Sequence, residues 1–379
     1  MFYYISFLRP PPSNASLSGK LSITPQIAND LRTEFYLGTQ DIFYIWSSSL
    51  GTQTRPNKLT TWRREQAYKE ILVPLPPLVR EGQEWTLILT ASAKASDAIV
   101  DLQDSTVVGR APFGVSSMPV RFGRSSAIEK KQEMIERVYA LHRGTMKITE
   151  QTSFDLDKKT WDSGIGLSSW LVTKSRLGQL PEELRFALFS KESRNIIELG
   201  AGTGVLSLTL AALRSSANEQ DDSKSRIVTT DLESAIPLLE HNIAANRHLF
   251  TSGSAHPKAS VLDWDEDLPD YIQSITAGFD AIIMADVTYN TSSFSALVRT
   301  LSSLIAMSAK RPLVLLGYKE RDEAERTIWV MAEEIGIHFR KVDEIVGSGG
   351  DPIEVWIGEV NRRQETKTTV TGRTKKPTN

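Results

Sequence analysis

The stretch NIIELGAGTGVL, Asn195 to Leu206, limits the fold more than any other part of the chain. A short apolar run ends in a glycine-rich turn, and an apolar helical pattern, VLSLTLAALRSS, follows. That is how a strand enters a sheet, turns tightly, and hands over to a helix packed back on the sheet. Gly200, Gly202 and Gly204 are spaced G-x-G-x-G. A dinucleotide fingerprint needs a glycine where this chain has Val205, and a P-loop needs a Gly-Lys-Ser/Thr that does not follow. The turn brings backbone close to a ligand, but it matches neither phosphate motif.

What surrounds the turn extends the pattern. From Thr145 to Val360, apolar runs such as SRIVTTD, ASVLD, FDAIIMAD and PLVLLGY alternate with helical stretches such as AIPLLEHNIAANRHL and FSALVRTLSSLIAMSA. Alternation of this kind implies an α/β fold with a mostly parallel sheet covered on both faces. The last two runs, FRKVDEIV and IEVWIGE, have no helix between them, so one strand is expected to run antiparallel. Residues 1–123 differ: KLSIT, DIFYIWSSS and WTLILTASA, separated by Pro and Ser clusters, read as strands of a β-rich N-terminal region or small domain. SSAIEKKQEMIERVYALHRG reads as a linking helix over residues 124–144, with Ile128, Met134, Ile135, Val138 and Leu141 on one stripe and Gly144 as its stop. A domain over 145–360 then follows, and residues 361–379, polar and basic without periodicity, are expected to form a disordered tail.

Composition narrows the function classes. Lys and Arg number 44 against 46 Asp and Glu, so no global basic field favours nucleic acid or an anionic membrane. The chain has no cysteine, which excludes disulfides, thiolate metal sites and a cysteine nucleophile. MFYYISFLRPPP lacks the basic flank and small-residue cleavage site of a secretory signal, and no run nears the ~18 apolar residues of a membrane helix. The histidines show no spacing with carboxylates that suggests a metal. These features lead to the expectation of a cytoplasmic protein, present also in the nucleus, with no metal, no membrane partner and a monomeric state.

Two carboxylates sharpen the ligand. Glu198 ends the strand before the glycines, and Asp231 ends the next strand, RIVTTD. Ligands of open α/β sheets bind beyond the carboxyl ends of the strands, so both acids should reach one crevice. Asp231 there can accept hydrogen bonds from both hydroxyls of a ribose. A carboxylate beside the turn repels pyrophosphate and suits a ligand bearing a sulfonium and an α-ammonium. S-adenosylmethionine has those groups.

The motifs ELGAGTG and TTDL resemble the first two motifs of class I, seven-stranded methyltransferases. TWDSGIGLSSWL, IPLLEHNIAAN, VLDWDEDLP and FDAIIMADVTYN are similar, in order, to segments of the family-16 protein-lysine methyltransferases. The likeness runs from about Ile148 to Val360 and does not reach the residues before. It implies a Rossmann-like seven-stranded sheet and an S-adenosylmethionine-dependent transfer of methyl groups to lysine in a protein such as a chaperone or translation factor. It also implies that Gly200, Ala201, Gly202 and Gly204 approach the amino-acid part of the cofactor, with Asp231 on the ribose and Leu232, Trp264 and Ala285 around the adenine and its neighbourhood. Trp161 would cover the methionine end, where an aromatic face favours a cation. Asp286 would orient the substrate amine and Tyr289 would wall its channel. Val287 and Thr288 stand where enzymes methylating bases or glutamine amides carry prolines, which counts against those substrates. A small-molecule methyltransferase and a silent binding module of the same fold remain the alternatives.

Overall fold

The computed structural model describes residues 1–123, 131–152, 156–217, 224–251 and 253–361. Ile128 of the expected helix and the expected tail beyond Asn361 lie outside them. Seven strands form the sheet that the alternation announces: β1 (Asn195–Leu199), β2 (Arg226–Asp231), β3 (Pro257–Val261), β4 (Ala281–Ala285), β5 (Leu313–Lys319), β6 (Ile337–Ile345) and β7 (Ile353–Val360). Their order is β3-β2-β1-β4-β5-β7-β6. β7 inserts between β5 and β6 and is antiparallel to both, as the helix-free final pair predicts. This is the Rossmann-like seven-stranded sheet that the resemblance implies.

Side chains in β1 point alternately to two cores. Ile196 joins a layer containing α1 (Asp162–Leu177) and α2 (Val205–Ala217), whereas Ile197 and Leu199 join a layer containing α3 (Phe294–Met307). Every residue of β1 is buried, the polar Asn195 and Glu198 included. Parallel register sets Leu199 opposite Thr230 in β2 and Met284 in β4. The residues after each strand, Gly200, Leu232 and Asp286, therefore emerge at one edge. That edge is also where strand order reverses, between β1 and β4.

Over its described residues, the expected linking helix is instead a β-hairpin. Met134–Leu141 pairs antiparallel with Gly144–Gln151, from Met134 opposite Gln151 to Leu141 opposite Gly144. Ile135, Arg137, Tyr139 and Leu141 point inward at a period of two. A buried arginine disguised this alternation: Arg137 pairs with Glu150 at 3.2 Å and donates to the carbonyls of Gly114 and Ile5. Gly144, with φ 104°, belongs to the hairpin turn rather than a helix end. The hairpin edges a nine-stranded sheet containing Gln40–Ser48, Glu84–Thr90 and Val120–Gly123, so the β-rich region runs through Gln151, beyond the expected boundary at 123. Tyr4–Arg9, within the apolar N-terminal run, is a strand paired with Leu21–Ala28. Phe2, Tyr4, Tyr139 and Ile148 share one core with Ile165 and Leu206, joining the β-rich region directly to the helical layer.

Candidate active site

Strand ends and the segment preceding α1 enclose a cavity of about 200 Å³. It is lined by Trp161, Glu198, Gly200, Ala201, Gly202, Asp231, Leu232, Trp264, Ala285, Asp286 and Tyr289, and thus by every expected site residue except Gly204. Gly204 has φ 82°, and a Cβ there would lie 2.5 Å from the Leu239 side chain. Its role is close packing of the turn against the helix Ile236–Ala245, which corrects its expected place beside the ligand.

The other two glycines differ from each other. A Cβ on Gly200 would meet Val287 at 2.7 Å, which ties the turn to the loop after β4. A Cβ on Gly202 would make only ordinary contact, 3.5 Å from its nearest neighbour, the Lys159 carbonyl, so its φ of 54° is what calls for glycine. Asp231 ties the turn to β2: its Oδ2 accepts from the Gly202 amide at 2.6 Å, and Oδ1 accepts from the Leu232 amide at 2.7 Å. Burial raises Asp231 to about 6, although both amides favour the carboxylate. Its remaining lone pairs suit hydroxyl donors from a ligand in the cavity.

Glu198 departs from its expected role as an open anion. It is 2% exposed and accepts from the amide of Ser207, at 3.2 Å, and from the Ser207 hydroxyl. Burial pushes its carboxyl up to about 8 despite those bonds. Its bonds run into α2 and on to Thr229, whose hydroxyl donates to Ser207 at 2.9 Å. Strand, helix and turn are braced there, with one face left toward the cavity.

Asp286 is also already engaged. Its Oδ1 accepts from the Arg321 guanidinium at 2.7 Å, and its Oδ2 accepts from the Ser163 amide at 2.8 Å. Its backbone sits at φ 57°, a left-handed conformation unusual for a residue with a side chain. Asp286 thus holds the loop in place through both of its oxygens. Trp161 and Tyr289 face each other with planes 12° apart and centroids 6.4 Å apart. Trp161 also donates to the Leu156 carbonyl at 2.8 Å and has Arg321 over its ring at 5.5 Å. Tyr289 is half-exposed, so the aromatic pair forms the rim.

Sequence reasoning missed Arg321 and the cavity residues Asp157, Lys159 and Thr203. Arg321 carried a signal, since it lies just past the carboxyl end of β5. Trp329 packs on Tyr318, Phe339 and Trp356 and is not among the residues lining the cavity. Among the described residues no group of three or more His, Asp or Glu could hold a metal ion, and no helix is long and apolar enough to cross a membrane.

A family model described as lysine methyltransferase matches residues 141–334. A UPF0665 family protein of Schizosaccharomyces pombe is 24% identical over 344 residues, covering 86% of this chain and 91% of the relative. Protein-lysine N-methyltransferase EFM6 of Saccharomyces cerevisiae is 27% identical over 44% of this chain and 65% of its own. Protein N-lysine methyltransferase METTL21A of Danio rerio is 34% identical over 35% of this chain and 54% of its own. The match thus spans less than two thirds of each of these two relatives and nearly all of the Schizosaccharomyces protein. Among solved structures, a magnesium protoporphyrin IX methyltransferase from Synechocystis PCC 6803 with bound SAM aligns with 52% of this chain and 78% of its own, at 16% identity and TM-score 0.32.

Proposed function

The chain belongs to the lysine methyltransferase family, matched over residues 141–334, and from that premise we propose that it methylates a lysine side chain of a protein. The observation that carries the reading is a single cavity in which the glycine turn, Asp231 and the Asp286–Tyr289 segment meet. The methyl donor is S-adenosylmethionine, which supplies a methyl group on a positively charged sulfur. The cavity suits it: Gly202 leaves room against the backbone, and Asp231 offers unused lone pairs. Asp231 would take the ribose hydroxyls, with Leu232 and Trp264 flanking the adenine, and Ala201 and Gly202 beside the amino-acid end.

The chain's own residues then act mainly by positioning. A lysine amine must be neutral to attack carbon, yet its ordinary pKa is near ~10.4. The sulfonium beside it and a partly dry pocket would both disfavour an ammonium there. Trp161 and Tyr289 flank the aliphatic stem and exclude water from it. Asp286, restrained by Arg321 and Ser163, fixes the loop that carries Tyr289. The amine proton leaves to solvent before reaction, so no general base is assigned. The acceptor proposed is a cytosolic or nuclear protein, a chaperone or translation factor, met by a monomer of this chain.

Incubation of the protein with labelled S-adenosylmethionine and cell extract, beside an Asp231→Ala control, tests the reading. Label on protein lysine that disappears in the control is the expected result. Label only in small molecules or RNA overturns it, and so does donor binding without transfer.

A further inference from the structure

Behind the Asp286 loop lies a buried ionic cluster assembled from both halves of the chain. Asp30, from the β-rich region, accepts from Lys319 Nζ through Oδ1 and from Arg321 Nη2 through Oδ2, each at 3.0 Å. The same guanidinium gives its Nη1 to Asp286 at 2.7 Å. Lys319 also donates to Asp162 at 2.8 Å, and Asp162 accepts from the Tyr4 hydroxyl at 2.7 Å and the Phe2 amide at 2.9 Å. The side chain of Asp30 is fully buried.

The turn carrying Asp30 is stiffly built. Asn29 Oδ1 accepts from the amides of Thr33 and Glu34, its own amide donates to the Glu34 carbonyl, and Arg32 is left-handed at φ 60°. Asp30 is thereby aimed at a basic group 289 residues away in sequence. A guanidinium is a planar fork, and here its two ends are divided between Asp30 and Asp286. Remove Asp30, and Nη2 loses its carboxylate, leaving the Lys319 carbonyl at 3.4 Å and the Trp161 ring to steady how Arg321 approaches Asp286. The loop from Asp286 to Tyr289 lines the cavity and starts from a left-handed residue, so a change in that approach reaches the cavity wall.

We propose that Asp30 is a positioning residue of the transfer site, acting through Arg321 on Asp286, so that the β-rich region completes the site. The inference rests on the methyltransferase reading above. It also assigns a task to the part of the chain that precedes residue 141, where the family match begins.

The test uses Asp30→Asn in the full chain. Turnover on the acceptor protein falls about 10- to 100-fold, while affinity for S-adenosylhomocysteine, measured by calorimetry, stays within about twofold. In an Arg321→Gln background the Asp30→Asn change has little further effect, because the two act as a unit. Val73→Ala, which loosens the β-rich core away from the cluster, lowers the melting temperature but leaves turnover intact. Hydrogen exchange of the Asp286–Tyr289 amides needs no acceptor; it quickens in Asp30→Asn and not in Val73→Ala. If Asp30→Asn does not fold, Arg321→Lys, which keeps the charge but not the fork, must show the same loss of turnover and faster exchange. Unchanged turnover and exchange, equal losses in Val73→Ala, or additive losses overturn the proposal. Should the wild type label no protein lysine, the methyltransferase reading fails, and exchange still decides the role of Asp30.

Discussion

Two groups of buried acids lie side by side at the carboxyl end of the sheet, and their partners set them apart. Glu198 and Asp231 face the cavity with amides and a hydroxyl as partners, and burial drives them up to about 8 and about 6. Asp30, Asp162 and Asp286 lie around Lys319 and Arg321. Burial alone would raise Asp30 as well, but Lys319 and Arg321 outweigh it and hold it below its ordinary value. Asp162 does rise, to about 6, under burial and the charge of Asp30. Burial would lower Lys319 and Arg321, yet the surrounding acids raise both. One acid group is short of positive charge and gains when a cationic ligand arrives. The other has its cations built in and acts as a brace.

The strongest way to break the brace is to remove its shared cation. Arg321→Met leaves Asp30 and Asp286 facing each other's charge in a buried setting. It should cost about 3–5 kcal/mol in stability, read from the denaturation midpoint. A loss below ~1 kcal/mol would show that the cluster is open to water.

On the cavity side, Asp231→Ala strands the amides of Gly202 and Leu232 and takes away the ligand's acceptor. Affinity for S-adenosylhomocysteine should fall about 10- to 100-fold by calorimetry, with a smaller loss of stability than Arg321→Met. Binding that survives unchanged would remove Asp231 from the site.

The glycine turn separates packing from ligand approach. Gly204→Ala drives a methyl group into Leu239 and should cost about 2–3 kcal/mol in chemical denaturation. Gly202→Ala brings its methyl only to ordinary contact, 3.5 Å from the Lys159 carbonyl, carries mainly the cost of its left-handed backbone, about 1 kcal/mol, and should weaken cofactor binding more than stability. Equal effects at both positions would erase the distinction.

The smallest effect is a pH trend. The folded Glu198 binds its proton more tightly than the unfolded chain does, about 8 against 4.5. The stability linked to that proton is full below the unfolded value and is lost as pH rises toward the folded one. Glu198→Gln has no such proton. Its melting temperature should therefore gain on the wild type between pH 5 and pH 8, by roughly 2–5 °C in thermal scans. A difference that stays flat with pH would show that Glu198 is ionised throughout.

How much was legible follows from the range of each interaction. The glycine turn, Asp231, Trp264 and the Asp286–Tyr289 segment sit at strand ends, and local periodicity locates strand ends. That placed them in one cavity correctly. The helix expected over 124–144 failed because Arg137, polar in sequence, is buried by a partner across the hairpin. Glu198 and Asp286 line the cavity, but their partners were not legible, since Ser207 and Arg321 reach them from other elements. Asp30 gave no signal, as its partners lie near the other end of the chain.

By itself the sequence determined the α/β alternation, the antiparallel final strand, the turn without a phosphate signature and the acid that ends β2. Each is a matter of neighbouring residues and the period of two or 3.6 that backbone geometry imposes. Tertiary structure alone decided which acids are free, which glycine packs and which faces a ligand, and that the β-rich region reaches the Asp286 loop. Charge state and free space depend on what burial brings alongside, and that is fixed only when distant segments meet.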